Sequence, residues 1–205
     1  MRYLAWLCVL APLAAAAQTP SSVPGPYVVD LRVALSGVPQ DRSLFPPIPS
    51  DAIIPARGFG LDVGGHVYLI RLGPSRLGIG ADLMRIRAAS SPEDEGAAVE
   101  TTFTTIAPQL SLNFGSGDGW SYVSAGVGRA QVRTAGPALS LDGATSSDKA
   151  HALRSINVGG GARWFIKRHL AFSFDLRFHI VSAGGTDVPT PGSTLVAASG
   201  GISLK

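Results

Sequence analysis

Charged residues that could carry chemistry recur at alternate positions in several segments of this 205-residue chain. Asp175 and Arg177 are two residues apart, and Asp30 and Arg32 have the same spacing. Side chains two residues apart on a β-strand share a face, so each pair could form an ion pair away from water. We predict one charge network on the inner face of a sheet. Its members are Asp30, Arg32, Asp62, His66, Asp82, Arg163, Asp175, Arg177 and His179.

Neither metal binding nor phosphate-loop chemistry is indicated by the spacing of the candidate residues. The four histidines are scattered, and none has a second His or a carboxylate at ligand spacing on a shared face. The glycine-rich stretch VGGGAR lacks the Lys and Ser/Thr of a phosphate loop. We therefore predict no catalytic residue, no metal and no cofactor. A net charge of only +3 gives no reason to expect a nucleic-acid partner.

The strands that would hold the charged residues are predicted by apolar residues at every second position. In LAFSFDLRFHIV, residues 170–181, one parity is apolar and the other carries Asp175, Arg177 and His179. Most such segments exceed the usual strand length of about 5–6 residues and suit a tilted membrane crossing of about 9–11. The eight predicted strands are 27–36, 58–72, 77–88, 101–114, 120–133, 154–166, 169–181 and 193–204.

Connections between these strands alternate strictly between short and long. The short ones lie near 73–76, 115–119 and 167–168, and the long ones are 37–57, 89–100, 134–153 and 182–192. The sequence thus predicts an all-β fold, an eight-stranded antiparallel up-and-down transmembrane β-barrel with four long loops at one end and three short turns at the other. Pro108 falls inside the fourth predicted strand, where proline cannot donate a ladder hydrogen bond, so we expect either a bulge there or a wrongly placed strand.

The polar face of the strands is suited to a narrow lumen and the apolar face to hydrocarbon. Glycines accompany the paired charges, whereas a solvated strand surface would carry Lys, Glu and Thr. Charged residues make up 15% of the chain, against about 25% in soluble domains. Tyr27, Phe114 and Trp164 share the apolar parity at the short-turn end, as an interfacial aromatic belt would. The alternative is that these aromatics are strand formers in an ordinary core.

The first residues predict export. Residues 1–17, MRYLAWLCVLAPLAAAA, combine a basic start, an apolar run and an alanine-rich cleavage site, which is the pattern of a signal peptide. Cys8, the single cysteine, lies within it, so we expect the exported chain to have no disulfide. Residues 18–205 are predicted to form one barrel domain, and no later apolar run is long enough for a membrane helix.

The stretches APQLSLNFGSGDGWSYVSAGVGRA and INVGGGARWFIKRHLAFSFDLRFH resemble the small outer-membrane β-barrels, the class of the OmpA transmembrane domain and OmpX. The resemblance covers residues 27–204 and implies a monomer in the outer membrane of a Gram-negative cell. The chain departs from that family at its last strand, since GISLK ends on Leu204 and Lys205 where the family usually has a terminal aromatic residue.

Within that class, RFHIVSAGGTDVPTPG is similar to the penultimate strand of the lipid A deacylases. That resemblance implies a His two residues before the nucleophilic Ser and an Asn directly after it. If Ser182 is the Ser, those positions hold Ile180 and Ala183, and His179 has the opposite parity. We therefore predict a non-catalytic protein, with a lipid A modifying enzyme as one alternative. A narrow small-solute channel is the other, although eight strands leave room only for side chains.

Six arginines have the apolar parity at the long-loop rim, where cations are costly unless anions meet them. They are Arg57, Arg85, Arg87, Arg129, Arg133 and Arg154. Guanidinium binds phosphate bidentately, so we predict contact with lipid A phosphates and a structural or surface-interaction role with lipopolysaccharide as bound lipid. Alternatively, bulges turn some arginines away, as Met84 and Ile86 on the lumen parity hint. Loops 37–57 and 134–153 could contact an extracellular ligand, or the first could cap the lumen.

Overall fold

Eight long strands make up most of the described chain. The computed structural model describes residues 25–45, 53–90, 99–116, 118–135, 151–183 and 193–205. The strands are β1 (Tyr27–Gly37), β2 (Arg57–Leu72), β3 (Ser75–Ala89), β4 (Glu100–Ser116), β5 (Gly119–Ala135), β6 (His151–Lys167), β7 (Leu170–Ala183) and β8 (Ser193–Leu204). Every predicted strand is present, with ends shifted by three residues or fewer. The predicted signal peptide, 1–17, lies outside the described residues.

The sheet is a closed barrel in which each strand pairs with its neighbours in sequence. All pairings are antiparallel, and β1 closes the ring by pairing with β8 from Val29↔Leu204 to Ser36↔Ala197. The predicted eight-stranded up-and-down barrel is therefore confirmed. Closure gives every strand two partners and removes the exposed edges that a flat sheet of this size would have.

Short connections lie at one end of the barrel. Two residues each, at 73–74, 117–118 and 168–169, separate β2 from β3, β4 from β5 and β6 from β7. Gly73 has φ of +59°, a conformation that favours glycine. The other connections run through 38–56, 90–99, 136–150 and 184–192, and much of their length lies outside the described residues.

The expected bulge at Pro108 is absent. Ile106 pairs with Arg129 and Gln109 with Gly126, so the register of β4 against β5 is unchanged across the proline. The two intervening pairs are missing from the ladder, which agrees with the missing N–H of proline. Register shifts instead occur between Tyr68 and Ile70 and between Phe165 and Lys167, close to the short turns.

The lumen is apolar towards the long connections. Met84 and Ile86 are 2% and 1% exposed and face inward, so the break in parity that they hinted at does not occur. Met84 and Ile86 belong to a buried apolar cluster, and a 3₁₀ turn at Arg42–Leu44 brings Leu44 and Phe45 into it. The described part of the first loop therefore covers the lumen. The remaining members are Ala34, Val38, Ala88, Phe103, Ala130, Val132, Leu153, Val181, Leu195 and Ala197.

Large apolar side chains cover the outer wall of the barrel. Phe59 and Val127 are each 67% exposed, and Phe172 is 58% exposed. Tyr27 and Trp164 also point outward, at 51% and 55%. Among the described residues, no helix has the length and apolar character needed to cross a membrane. Since a water-facing surface rarely carries an apolar area so extensive, the wall is suited to hydrocarbon.

Candidate functional site

A bidentate ion pair in the lumen joins β6 to β1. Arg163 donates from Nε to Oδ1 of Asp30 at 2.8 Å and from Nη2 to Oδ2 at 2.7 Å. Both side chains are 0% exposed. Ser203 also donates to Oδ1 of Asp30. This bidentate geometry is the most favourable arrangement of a guanidinium and a carboxylate, and it ties strands on different sides of the lumen.

Arg32 is the centre of the network. Its Nε donates to Oδ2 of Asp62 at 2.8 Å, and its Nη1 donates to the Tyr122 hydroxyl at 3.0 Å. It also lies 3.3 Å from Asp30 and 3.7 Å from Asp82. One guanidinium thus faces three carboxylates, which offsets the cost of burying them.

A further ion pair lies within β7. Arg177 contacts Asp175 through Nη2–Oδ2 at 2.9 Å and Nε–Oδ1 at 3.2 Å. Its Nη2 also reaches Oγ of Ser124 at 3.0 Å and its Nη1 reaches Oδ1 of Asn157 at 3.2 Å. Tyr122 donates to Oδ2 of Asp175 at 2.6 Å. Since Tyr122 also accepts from Arg32, it links the two parts of the network.

The two histidines predicted to join the network differ in their hydrogen bonding. His66 Nε2 lies 3.1 Å from Oε1 of Gln109, whose amide donates to Asn157 at 3.0 Å. His179 is 0% exposed, yet neither ring nitrogen has a hydrogen-bond partner among the described residues. His179 therefore lies in the lumen beside the network without a hydrogen bond to it.

The prediction from the sequence did not include several uncharged members of the network. Tyr122 and Gln109 have the inward parity, as do Ser199 and Ser203, which donate to Asp62 and Asp30. Their parity was visible in the sequence. Their contacts were not, because strand register and barrel closure decide which inward side chains meet across the lumen.

Lys205 and two aromatic rings lie at the short-turn end of the lumen. The Lys205 ammonium is 4.4 Å from the centroid of the Trp120 ring and 4.0 Å from that of Phe165. Trp120 is 1% exposed. Lys205 is thus held by cation–π contacts with both rings.

Ser182 and His179, the Ser and His of the segment that resembles the deacylases, are not brought together. Ser182 pairs with Arg154 on the outward parity, whereas His179 points into the lumen with 0% exposure. An imidazole must reach the hydroxyl by a hydrogen bond to activate it, and here the two lie on opposite faces of β7. Within the described ranges, no group of three or more His, Cys, Asp or Glu side chains is arranged to hold a metal ion.

All six predicted arginines are exposed on the outer wall near the long connections. We call Arg57, Arg85, Arg87, Arg129, Arg133 and Arg154 the outer arginine cluster. Arg87 Nε lies 3.4 Å from Oε1 of Glu100, with both side chains at least half exposed. Strand register places Thr102 between Arg87 and Arg133 in one row across β3, β4 and β5.

The most unusual pairing in this cluster is between two cations. Arg129 of β5 is directly opposite Arg154 of β6, and both side chains point outward. Directly opposed residues have Cβ atoms about 4.5–5.5 Å apart, and like charges at that spacing destabilise a sheet. The next outward residues towards the short turns are Val127 and Ile156. The cluster therefore borders an apolar wall.

Comparison with known proteins identifies the fold. No protein-family model and no curated protein matches the sequence. Neisserial surface protein A (NspA) is similar in structure, with a TM-score of 0.59 and 12% identity over 88% of this chain and 97% of that one. The outer membrane protein OprG from Pseudomonas aeruginosa has a TM-score of 0.50 and 12% identity over 87% and 95%. The outer membrane enzyme PagL has a TM-score of 0.47 and 15% identity over 86% of this chain and 99% of that one.

The chain thus has the fold of the small outer-membrane β-barrels, and the likeness predicted from the sequence is confirmed at the level of fold. At 12% identity, the functional residues of NspA and OprG do not transfer to this chain. What this barrel does must therefore be argued from its own lumen and its own outer wall.

Proposed function

We propose that this chain is a closed, non-catalytic barrel of a Gram-negative outer membrane that binds lipopolysaccharide through the outer arginine cluster and has a structural or surface-interaction role. The fold shared with NspA and OprG and the apolar outer wall support this location. A signal peptide at residues 1–17 belongs to the same proposal, because an outer-membrane protein must first be exported.

The observation that carries the proposal is the opposition of Arg129 and Arg154. Two guanidinium groups face outward across neighbouring strands at the border of an apolar wall. Their repulsion and their desolvation both favour an anion lying between them. The lipid A phosphates of the outer leaflet supply this charge at the height of the long connections, and each guanidinium can bind phosphate through two N–H groups.

The lumen supports a closed barrel over the channel alternative. Charged and polar groups that contact one another fill its middle, and the cluster around Met84 and Phe103 fills the end near the long connections. The deacylase alternative has less support because Ser182 and His179 lie on opposite faces of β7. Loops 37–57 and 134–153 remain the proposed contacts for an extracellular ligand, and residues 46–52 and 136–150 lie outside the described residues.

The test is lipopolysaccharide retention by the double variant Arg129→Gln/Arg154→Gln after purification in neutral detergent. We expect retention to fall at least about tenfold, because hydrogen bonds to charged groups contribute about 1.5–3 kcal/mol each. The matched control is Arg71→Gln/Arg168→Gln, which removes the same charge near the short turns. Heat-modifiable gel mobility verifies folding. Equal retention by parent, double variant and control would refute the proposal.

A further inference from the structure

An apolar groove of about 820 Å³ opens on the outer wall of the barrel. Most of its lining residues face outward from five consecutive strands, β2 to β6, and Gly80, Gln109 and Gly126, which have the lumen parity, complete it. The outward residues include Val67, Ile79, Leu110, Ala125, Val127 and Ile156. Its volume is within the range of about 300–1,000 Å³ found for small-molecule sites. A uniform lipid-facing wall would be convex, so a concavity of this size is a local feature.

Three backbone features accompany the groove. Gly80 of β3 and Gly126 of β5 have the lumen parity, so they line the groove with backbone atoms. Pro108, which lies between them on β4, also lines it. The β4–β5 ladder lacks its pairs between Ile106↔Arg129 and Gln109↔Gly126. Strands with fewer hydrogen bonds and less bulk can depart from the smooth curvature of the barrel.

The groove ends directly below the opposed arginines. Val127 pairs with Ile156 in the groove, and Arg129 pairs with Arg154 two residues further along the same strands. Outward residues two apart on a strand are separated by about 6.5–7 Å. Two cations therefore lie at one end of an apolar concavity. This arrangement is complementary to an amphiphile that has an anionic headgroup and an apolar chain.

We propose that this groove holds one acyl chain of the lipid whose phosphate lies between Arg129 and Arg154. The inference rests on the proposed function and extends it, because the lipid is then bound as a single ordered molecule at a defined place on the wall. An apolar chain fits a groove lined almost wholly by apolar side chains. Charge complementarity at the arginine end selects an anionic amphiphile over a neutral one.

The experiment measures binding to the folded barrel in neutral detergent by native mass spectrometry and titration. The probes are hexa-acylated diphosphoryl lipid A and the same phosphorylated disaccharide after complete chemical deacylation. Ala125→Trp fills the groove, and Ile79→Trp fills it from β3. The matched control is Ala198→Trp, which adds the same side chain on β8, on the other side of the barrel.

The parent should retain one lipid A molecule after detergent exchange. Both groove variants should bind lipid A at least about tenfold more weakly, the change expected when about two methylenes leave an apolar site. They should bind the deacylated disaccharide as the parent does, and Ala198→Trp should match the parent with both probes. Loss of the disaccharide in Arg129→Gln/Arg154→Gln would confirm the headgroup contact on which the inference depends.

Two results overturn the inference and leave the arginine proposal standing. One is that both groove variants bind lipid A as tightly as Ala198→Trp does. The other is that they lose lipid A and the deacylated disaccharide equally, which would mean that the added rings disturb the arginines. If Arg129→Gln/Arg154→Gln binds the disaccharide as the parent does, the proposed function itself fails.

Discussion

Arg163 and Asp30 face each other across the lumen and share two hydrogen bonds of 2.8 and 2.7 Å, although 133 residues separate them in the chain. β6 and β1 are not neighbours in the sheet, since β7 and β8 lie between them. The ion pair therefore links strands that no backbone hydrogen bond joins. Its removal should affect the stability of the whole barrel.

Asp30→Ala should lower the free energy of unfolding by about 3–5 kcal/mol, the usual cost of leaving a buried charge without its partner. Arg163 is 0% exposed, so water cannot readily replace the lost carboxylate. Urea unfolding in lipid vesicles measures the change. The control is Val29→Ala on the outward face of β1, where lipid replaces the lost contacts. Equal midpoints for the two variants would contradict the prediction.

The barrel should show no steady conductance in planar bilayers, because its lumen is filled by the charged network and by the apolar cluster. Arg32→Ala should stay closed, since Met84 and Phe103 still fill the end near the long connections. Removing both layers, by Arg32→Ala with Met84→Ala and Phe103→Ala, should raise conductance. A stable open level in the parent protein would favour the channel alternative.

The effect of Arg129→Gln on stability should change sign with the lipid. In neutral phosphatidylcholine vesicles the substitution removes a like-charge contact with Arg154 and should stabilise the barrel by about 0.2–1 kcal/mol. In vesicles containing lipid A it should destabilise, because a phosphate ligand is lost. Urea unfolding in both vesicle types tests this, with Arg168→Gln on the turn between β6 and β7 as the control. The same sign in both lipids would count against a bound phosphate.

Expression of the chain should leave the mass of host lipid A unchanged. Ser182 points outward while His179 is buried in the lumen, so the imidazole of His179 cannot accept the proton of the Ser182 hydroxyl. Mass spectrometry of lipid A from hosts with and without the folded barrel measures this. Loss of an acyl chain that disappears in Ser182→Ala would show that a base reaches this serine in the membrane.

The first loop should respond to acid through Asp41. The hydroxyl of Ser43 donates to Oδ1 at 2.7 Å and its backbone N–H donates at 3.0 Å, which hold the pKa of Asp41 below its usual value of 3.8. Because the pKa of Asp41 is lowered in the folded chain, the contact stabilises the turn fully when the pH is above the usual pKa. This stabilisation is lost as the pH falls through the lowered pKa.

A carbon NMR titration of the Asp41 carboxyl group measures that pKa, and Ser43→Ala should raise it towards 3.8. Ser193 donates to Oδ2 at 3.4 Å, so Ser193→Ala should have a smaller effect in the same direction. An unchanged pKa in Ser43→Ala would mean that the turn does not hold the carboxylate in solution.

Much of the architecture could be predicted from the sequence because the period of two is a local property. Alternation in LAFSFDLRFHIV assigns Asp175 to one face and Phe174 to the other without reference to any other strand, and 1% and 47% exposure agree with this. The same logic located all eight strands within three residues at each end. It failed at Pro108, where a bulge was expected, because the neighbouring strands hold the register through a gap in the ladder.

Contacts across the lumen and along the wall depended on the closed structure. The sequence by itself determined that Asp30, Arg163, Arg129 and Arg154 belong to particular faces. It could not determine that Arg163 meets Asp30, that Arg129 lies opposite Arg154, or that a groove opens beneath them. Face is set within a strand by the geometry of the extended backbone, whereas partner and curvature are set by the register and closure of eight strands together.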